Sequence, residues 1–142
     1  MDRYLYPLLF FFLFAFFVRA VNAEDHVVTA QATKYSPEVV FIQPADRVVW
    51  TNMVGHDTQS IDELMPEGAE PFHLLLGQDG SVEFNVPGVY IYKCNPHFAL
   101  GMVGTVVVGE PVNLDDVLKN AKGMAKRAAL RAKKAIEKQA GI

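Results

Sequence analysis

Cys94, His97 and Met102 place a thiol, an imidazole and a thioether within one short stretch, "KCNPHFALGM". A soft thiolate, a borderline imidazole and a weak thioether suit copper better than calcium, magnesium or zinc. Two histidines and one cysteine in a trigonal plane under a distant methionine form the arrangement of electron-transfer copper. The stretch therefore lacks one histidine, and His26, His56 and His73 could supply it. His56 is favoured, because it follows Gly55 just after the strand-like "DRVVWTN" and so occupies a loop at one end of a sheet. His26 stands near the start of the mature chain, where mobility makes a poor ligand. His73, in "PFHLLL", reads as a surface or half-buried histidine.

Cys94 is the only cysteine, so it cannot form an intramolecular disulfide in an exported chain. An inert buried thiol, a nucleophile, an intermolecular disulfide or a metal-bound thiolate would each account for it. Taken singly, the three residues read as core or surface side chains. Their joint spacing points to a metal.

The elements that must position them are mostly strands. From His26 to Gly109, "HVVTAQAT", "EVVFIQ", "DRVVWTN", "SVEFNV", "GVYIYKC" and "MVGTVVVG" read as strands of an antiparallel β domain, separated by turns such as "QPAD", "QDGS" and "NVPGV". Short strands at this spacing predict a β-sandwich. Between Met53 and Leu76 the pattern lapses into a long loop with at most a turn of helix, and such loops are usually functional. After Pro111 the period becomes helical. Asn113 is placed to cap a first helix carrying Asp115 and Asp116 in its first turn, and Gly123 separates it from a second helix over 124–139. The stripe Ala125, Ala128, Ala132, Ala135 and Ile136 is expected to pack on the sandwich.

Residues 4–18 form an apolar run too short to span a bilayer comfortably, and Val21-Asn22-Ala23 offers the small residues that signal peptidase reads. The expected organisation is a signal peptide over 1–23, a sandwich over 24–110 and a helical extension of the same domain over 111–142. Charge divides along the same line. Between Glu24 and Glu110 only Lys34, Arg47 and Lys93 oppose twelve carboxylates, whereas the segment after Pro111 is basic.

The loop Cys94-x-Pro96-His97-x-x-x-x-Met102, Gly55-His56 ahead of the stretch from Pro66 to Phe72, and "GEPVNLDD" before two helices together resemble the cupredoxins, and most closely the pseudoazurins, over essentially the whole mature chain. The resemblance implies an all-β Greek-key sandwich with two C-terminal helices and one type 1 copper ion held by His56, Cys94, His97 and Met102. It implies a periplasmic, monomeric one-electron carrier and no enzyme, since protein fills every coordination position. A copper-binding or copper-delivery protein is the alternative. His97 is expected to act as the electron port within an apolar patch of Pro96, Phe98, Ala99, Leu100, Met65 and Pro66, where redox proteins dock transiently.

Two departures stand out. Family members commonly carry Asn after the first histidine and Thr after the cysteine, where this chain has Asp57 and Asn95. An Asp57 carboxylate accepting from the Asn95 side chain would tie the ligand loops together and add negative charge near the metal. The second departure is a shortage of lysines. With only Lys93 and, in acid, His73 expected near the site, the sequence predicts a partner that is basic or docks through apolar contact.

Overall fold

The computed structural model describes residues 22–141, so most of the expected signal peptide lies outside the described residues. Among the described residues, no helix is long and apolar enough to cross a membrane. The described residues form nine strands: β1 (Asp25–Gln31), β2 (Lys34–Ser36), β3 (Val39–Ile42), β4 (Arg47–Thr51), β5 (Thr58–Ser60), β6 (His73–Leu74), β7 (Gly80–Glu83), β8 (Gly88–Lys93) and β9 (Val103–Val108). Helices α1 (Leu114–Asn120) and α2 (Gly123–Ala140) follow. One sheet has the order β2-β1-β4-β7 and the other β3-β9-β8-β5-β6. The β-sandwich with two terminal helices is the architecture expected from the sequence. The sheets are not purely antiparallel, however, because β1 pairs with β4 and β3 with β9 in parallel.

Strand alternation explains how the sandwich is filled. Along β8, Tyr90 and Tyr92 point into the interior with Trp50, Tyr35 and Phe84, whereas Val89 and Ile91 point outward beneath the helices. Along β9, Val106 and Val108 point inward and Val103 outward. Both faces of this hairpin are therefore buried, which is why "GVYIY" and "VVV" are continuous apolar runs. Helix α2 covers the outer face with Ala125, Ala128, Ala129 and Ala132, whose small side chains let the backbone lie close to the sheet.

Three local expectations change. The stretch from Met53 to Leu76 holds β5 and β6 besides a 3-10 turn at Asp62–Leu64. These strands are too short to show a period in the sequence. Asn113 does not cap α1 through its side chain. Its Oδ1 accepts from the Val89 amide at 2.7 Å and its Nδ2 donates to the Val89 carbonyl at 3.0 Å, pinning the helix to the start of β8. Met65 and Pro66 do not join the ligand loop. Pro66 is buried against Gly88, at the other end of β8 from Cys94.

Candidate metal centre

Cys94 continues the inward series Tyr90, Tyr92 one residue beyond β8, and its thiol is fully buried. Met102, one residue before β9, continues the inward series on the neighbouring strand and is also fully buried in the same core cluster. The loop between them is fastened to itself. The Cys94 amide donates to the Met102 carbonyl at 3.1 Å, and the amides of Leu100 and Met102 both donate to the His97 carbonyl, at 3.0 and 3.1 Å. A 3-10 turn at Phe98–Leu100 and Gly101, at φ +93°, complete the reversal.

His56 reaches the same point from the opposite sheet. After β4 the chain turns through Gly55, at φ +80°, and the His56 amide donates to the Met53 carbonyl at 2.8 Å. The His56 carbonyl accepts from the Gly77 amide at 2.8 Å. His56 Nδ1 thereby lies 3.8 Å from Cys94 Sγ and 3.1 Å from His97 Nδ1, and His97 Nδ1 lies 3.5 Å from Cys94 Sγ. Of the sequence candidates, the structure brings together His56, Cys94 and His97, with Met102 in the same loop closure. His26 is elsewhere, with its Nε2 3.0 Å from Asp46 Oδ2. His73 is exposed, with its Nε2 3.2 Å from Asp57 Oδ2.

The triangle fits a metal ion. Donors at about 2.0–2.3 Å from a shared centre stand roughly 3.4–3.8 Å apart, close to the observed edges. Burial first, and the neighbouring His97 second, push the His56 imidazole below its ordinary value, favouring the neutral form that can ligate. Burial pushes the Cys94 thiol up, so a metal ion bound there would have to displace its proton to gain the thiolate. With a thioether added, the donor set is one that selects copper.

The ligand loops are joined by Asp57. Its carboxylate accepts from the Asn95 amide and from Asn95 Nδ2, each at 2.6 Å, and Asn95 Nδ2 also donates to Gln59 Oε1 at 2.8 Å. The Asp57 carbonyl accepts from Tyr35 Oη at 2.6 Å. Burial alone would raise the Asp57 carboxyl. The hydrogen bonds from the Asn95 side chain and backbone, with His73, outweigh it and hold the group below the usual carboxylate range. The Asp57–Asn95 contact was legible from the sequence, whereas the approach of His73 follows from β6 pairing with β5.

Of the two histidines, His56 is buried and His97 half-buried, so His97 presents the site to its surroundings. Pro96, Ala99 and Leu100 are exposed beside it. Val54 is 84% exposed in the His56 loop, and Leu75 and Leu76 are exposed in the loop hydrogen-bonded to it. Cations are also nearer than the sequence implied. Lys122 shares a cleft with Lys93 and Phe98, and Lys34, Arg127 and Arg131 share another with Leu100 and Gly101. Thus α2 carries part of the basic tail to the flank of the ligand loop.

Residues 23–109 match the family of copper binding proteins described as plastocyanin/azurin. The chain is 39% identical over 120 residues to a pseudoazurin of Paracoccus pantotrophus, covering 79% of each chain. A solved Sinorhizobium pseudoazurin superposes with a TM-score of 0.72 at 35% identity, over 80% of this chain and 97% of that one. The pseudoazurin of Methylobacterium extorquens AM1 gives 0.71 at 28% identity, over 78% and 98%. A buried thiol and two imidazoles converging where one copper ion fits, on a sandwich shared with these relatives, make the same statement as the sequence match: the chain belongs to the plastocyanin/azurin family and, within it, to the pseudoazurins, small copper proteins that carry electrons and are not enzymes.

Proposed function

We propose that this chain is exported by a signal peptide over 1–23 and works in the periplasm as a monomeric one-electron shuttle between redox enzymes. Residues 24–110 then form the copper-binding sandwich, and 111–142 form a helical extension of the same domain. The proposed ligands are His56, Cys94, His97 and Met102. The convergence of the first three beneath an exposed apolar loop carries this reading.

Bound copper would supply a metal centre that alternates between Cu(I) and Cu(II). The protein's part is to keep the donors still and to exclude water. Asp57 fixes the two ligand loops against each other, and the loop hydrogen bonds at His97 and Met102 leave little slack. The burial of His56 and Cys94 favours retaining the metal, which supports electron carriage over copper delivery.

Asp57 also places a negative charge between the ligand loops, which favours the oxidised state. Asp57→Asn is expected to raise the reduction potential by about 60 mV, a tenfold change for one electron. Protein-film voltammetry reads this directly, and an unchanged or lower potential would refute the assignment.

Docking is proposed at His97 through Pro96, Ala99, Leu100, Val54 and Leu76, with Lys34, Lys93, Lys122 and Arg127 on the flank. This replaces the expectation of a partner that is basic or docks mainly through apolar contact, which counted only Lys93 and His73 near the site. Electron transfer to an acidic redox protein is expected to slow about tenfold as the screening length falls from about 30 Å to about 8 Å. Stopped-flow rates against ionic strength test it; a flat or rising profile would remove the cationic flank from the mechanism.

A further inference from the structure

The end of the sandwich opposite the metal centre holds a second organised polar cluster, built around Asp46. Its side chain is only 6% exposed, yet it is a carboxylate. Oδ2 accepts from the Gln43 amide at 2.9 Å and lies 3.0 Å from His26 Nε2, and Oδ1 accepts from the backbone nitrogen of Glu24 at 2.9 Å. The neighbouring cation is engaged elsewhere, because the Arg47 guanidinium makes a two-point pair with Asp25 at 2.8 Å for each bond. The Glu24 carbonyl is held as well, accepting from the Arg47 amide at 2.9 Å.

Glu24 is the residue that signal cleavage after Ala23 would make the first of the mature chain. Asn22, Ala23 and Glu24 are exposed and precede β1, so the bond to be cut is open to a protease. We infer that Asp46 is a binding site for the α-ammonium of Glu24, so that signal-peptide cleavage creates the counter-ion of a covered carboxylate and locks the processed N-terminus onto β4. The inference rests on the cleavage position proposed above. In the step, water adds across the Ala23–Glu24 peptide bond. Ala23 leaves with the new carboxylate, and Glu24 keeps the nitrogen as an amine that takes up a proton at neutral pH. The nitrogen that gave Asp46 one neutral N–H donor becomes a charged donor at the same place. Charge-assisted hydrogen bonds are shorter and about twice as strong as neutral ones. Removal of one partner from a covered charge pair is correspondingly damaging.

The test compares the copper-loaded mature chain beginning at Glu24 with one retaining Asn22-Ala23, each with Asp46 and with Asp46→Asn. The Glu24 start is expected to raise the folding equilibrium constant by about tenfold over the extended chain when Asp46 is present, and by little in the Asp46→Asn pair. An equal difference in both backgrounds, or none in either, would overturn the site. Should Asp46→Asn fail to fold, amine-selective labelling of the unsubstituted mature protein decides. The Glu24 amine is expected to react many-fold more slowly in the folded protein than in denaturant, and equal rates would overturn the proposal. The intact mass of the exported protein separates the two layers. A start other than Glu24 overturns the cleavage position, whereas a Glu24 start with equal stabilities overturns the ammonium site.

Discussion

Cys94→Ser should leave the sandwich folded and remove the intense visible absorption of the copper-loaded protein. The change is nearly isosteric, and the Cys94 backbone remains held by the Met102 carbonyl. What is lost is the thiolate, the softest donor of the set and the source of the charge-transfer band. Copper affinity should fall by more than the roughly 10–100-fold typical of losing a group that merely orients a ligand. Absorption spectra with a competitive chelator measure both effects, and circular dichroism checks the fold. A variant that keeps the band and the affinity would show that Cys94 is a packing residue.

Gly104→Ala should have the largest effect on stability. Tyr92 and Gly104 are directly paired across β8 and β9, and both face the interior. A Cβ on residue 104 would run into Tyr92 Cζ and Oη, far inside contact distance. The ring has little room to retreat, with Tyr35 at 4.8 Å and Trp50 at 5.3 Å between centroids. Overpacking of this kind costs about 3 kcal/mol, which for a domain of this size lowers the melting temperature by roughly 10 °C. Because Tyr92 stands two residues before Cys94, the displaced ring should also disturb the copper spectrum. Calorimetry of the apoprotein gives the first effect, and an unchanged melting temperature would mean that the core yields there.

These contacts show which parts of the molecule were legible in the chain. His97 and Met102 lie within eight residues of Cys94, so loop spacing alone could relate them, and His56 follows a recognisable strand. The Asp57–Asn95 pair was legible because each residue adjoins a proposed ligand. Contacts created by register or by docking of distant elements were not. Gly104 reads as an ordinary strand glycine until β9 is set against β8 and Tyr92 falls opposite it. Lys122 and Arg127 read as tail residues until the alanine face of α2 packs over the hairpin and brings them to the ligand loop. Met65 and Pro66 erred the other way, since their place was inferred from the family resemblance, while the path of the chain takes Pro66 to Gly88. His73 was expected near the site only as a surface cation, and pairing of two very short strands gives it a place on Asp57.

Titration of the metal-free mature protein with Cu(II), followed by absorption and voltammetry, asks whether His56, Cys94, His97 and Met102 hold one redox-active copper ion. A site of these four residues saturates at one copper per chain, with strong thiolate charge-transfer absorption and a reversible one-electron wave. Saturation at another stoichiometry, or copper bound without the thiolate band, would contradict it.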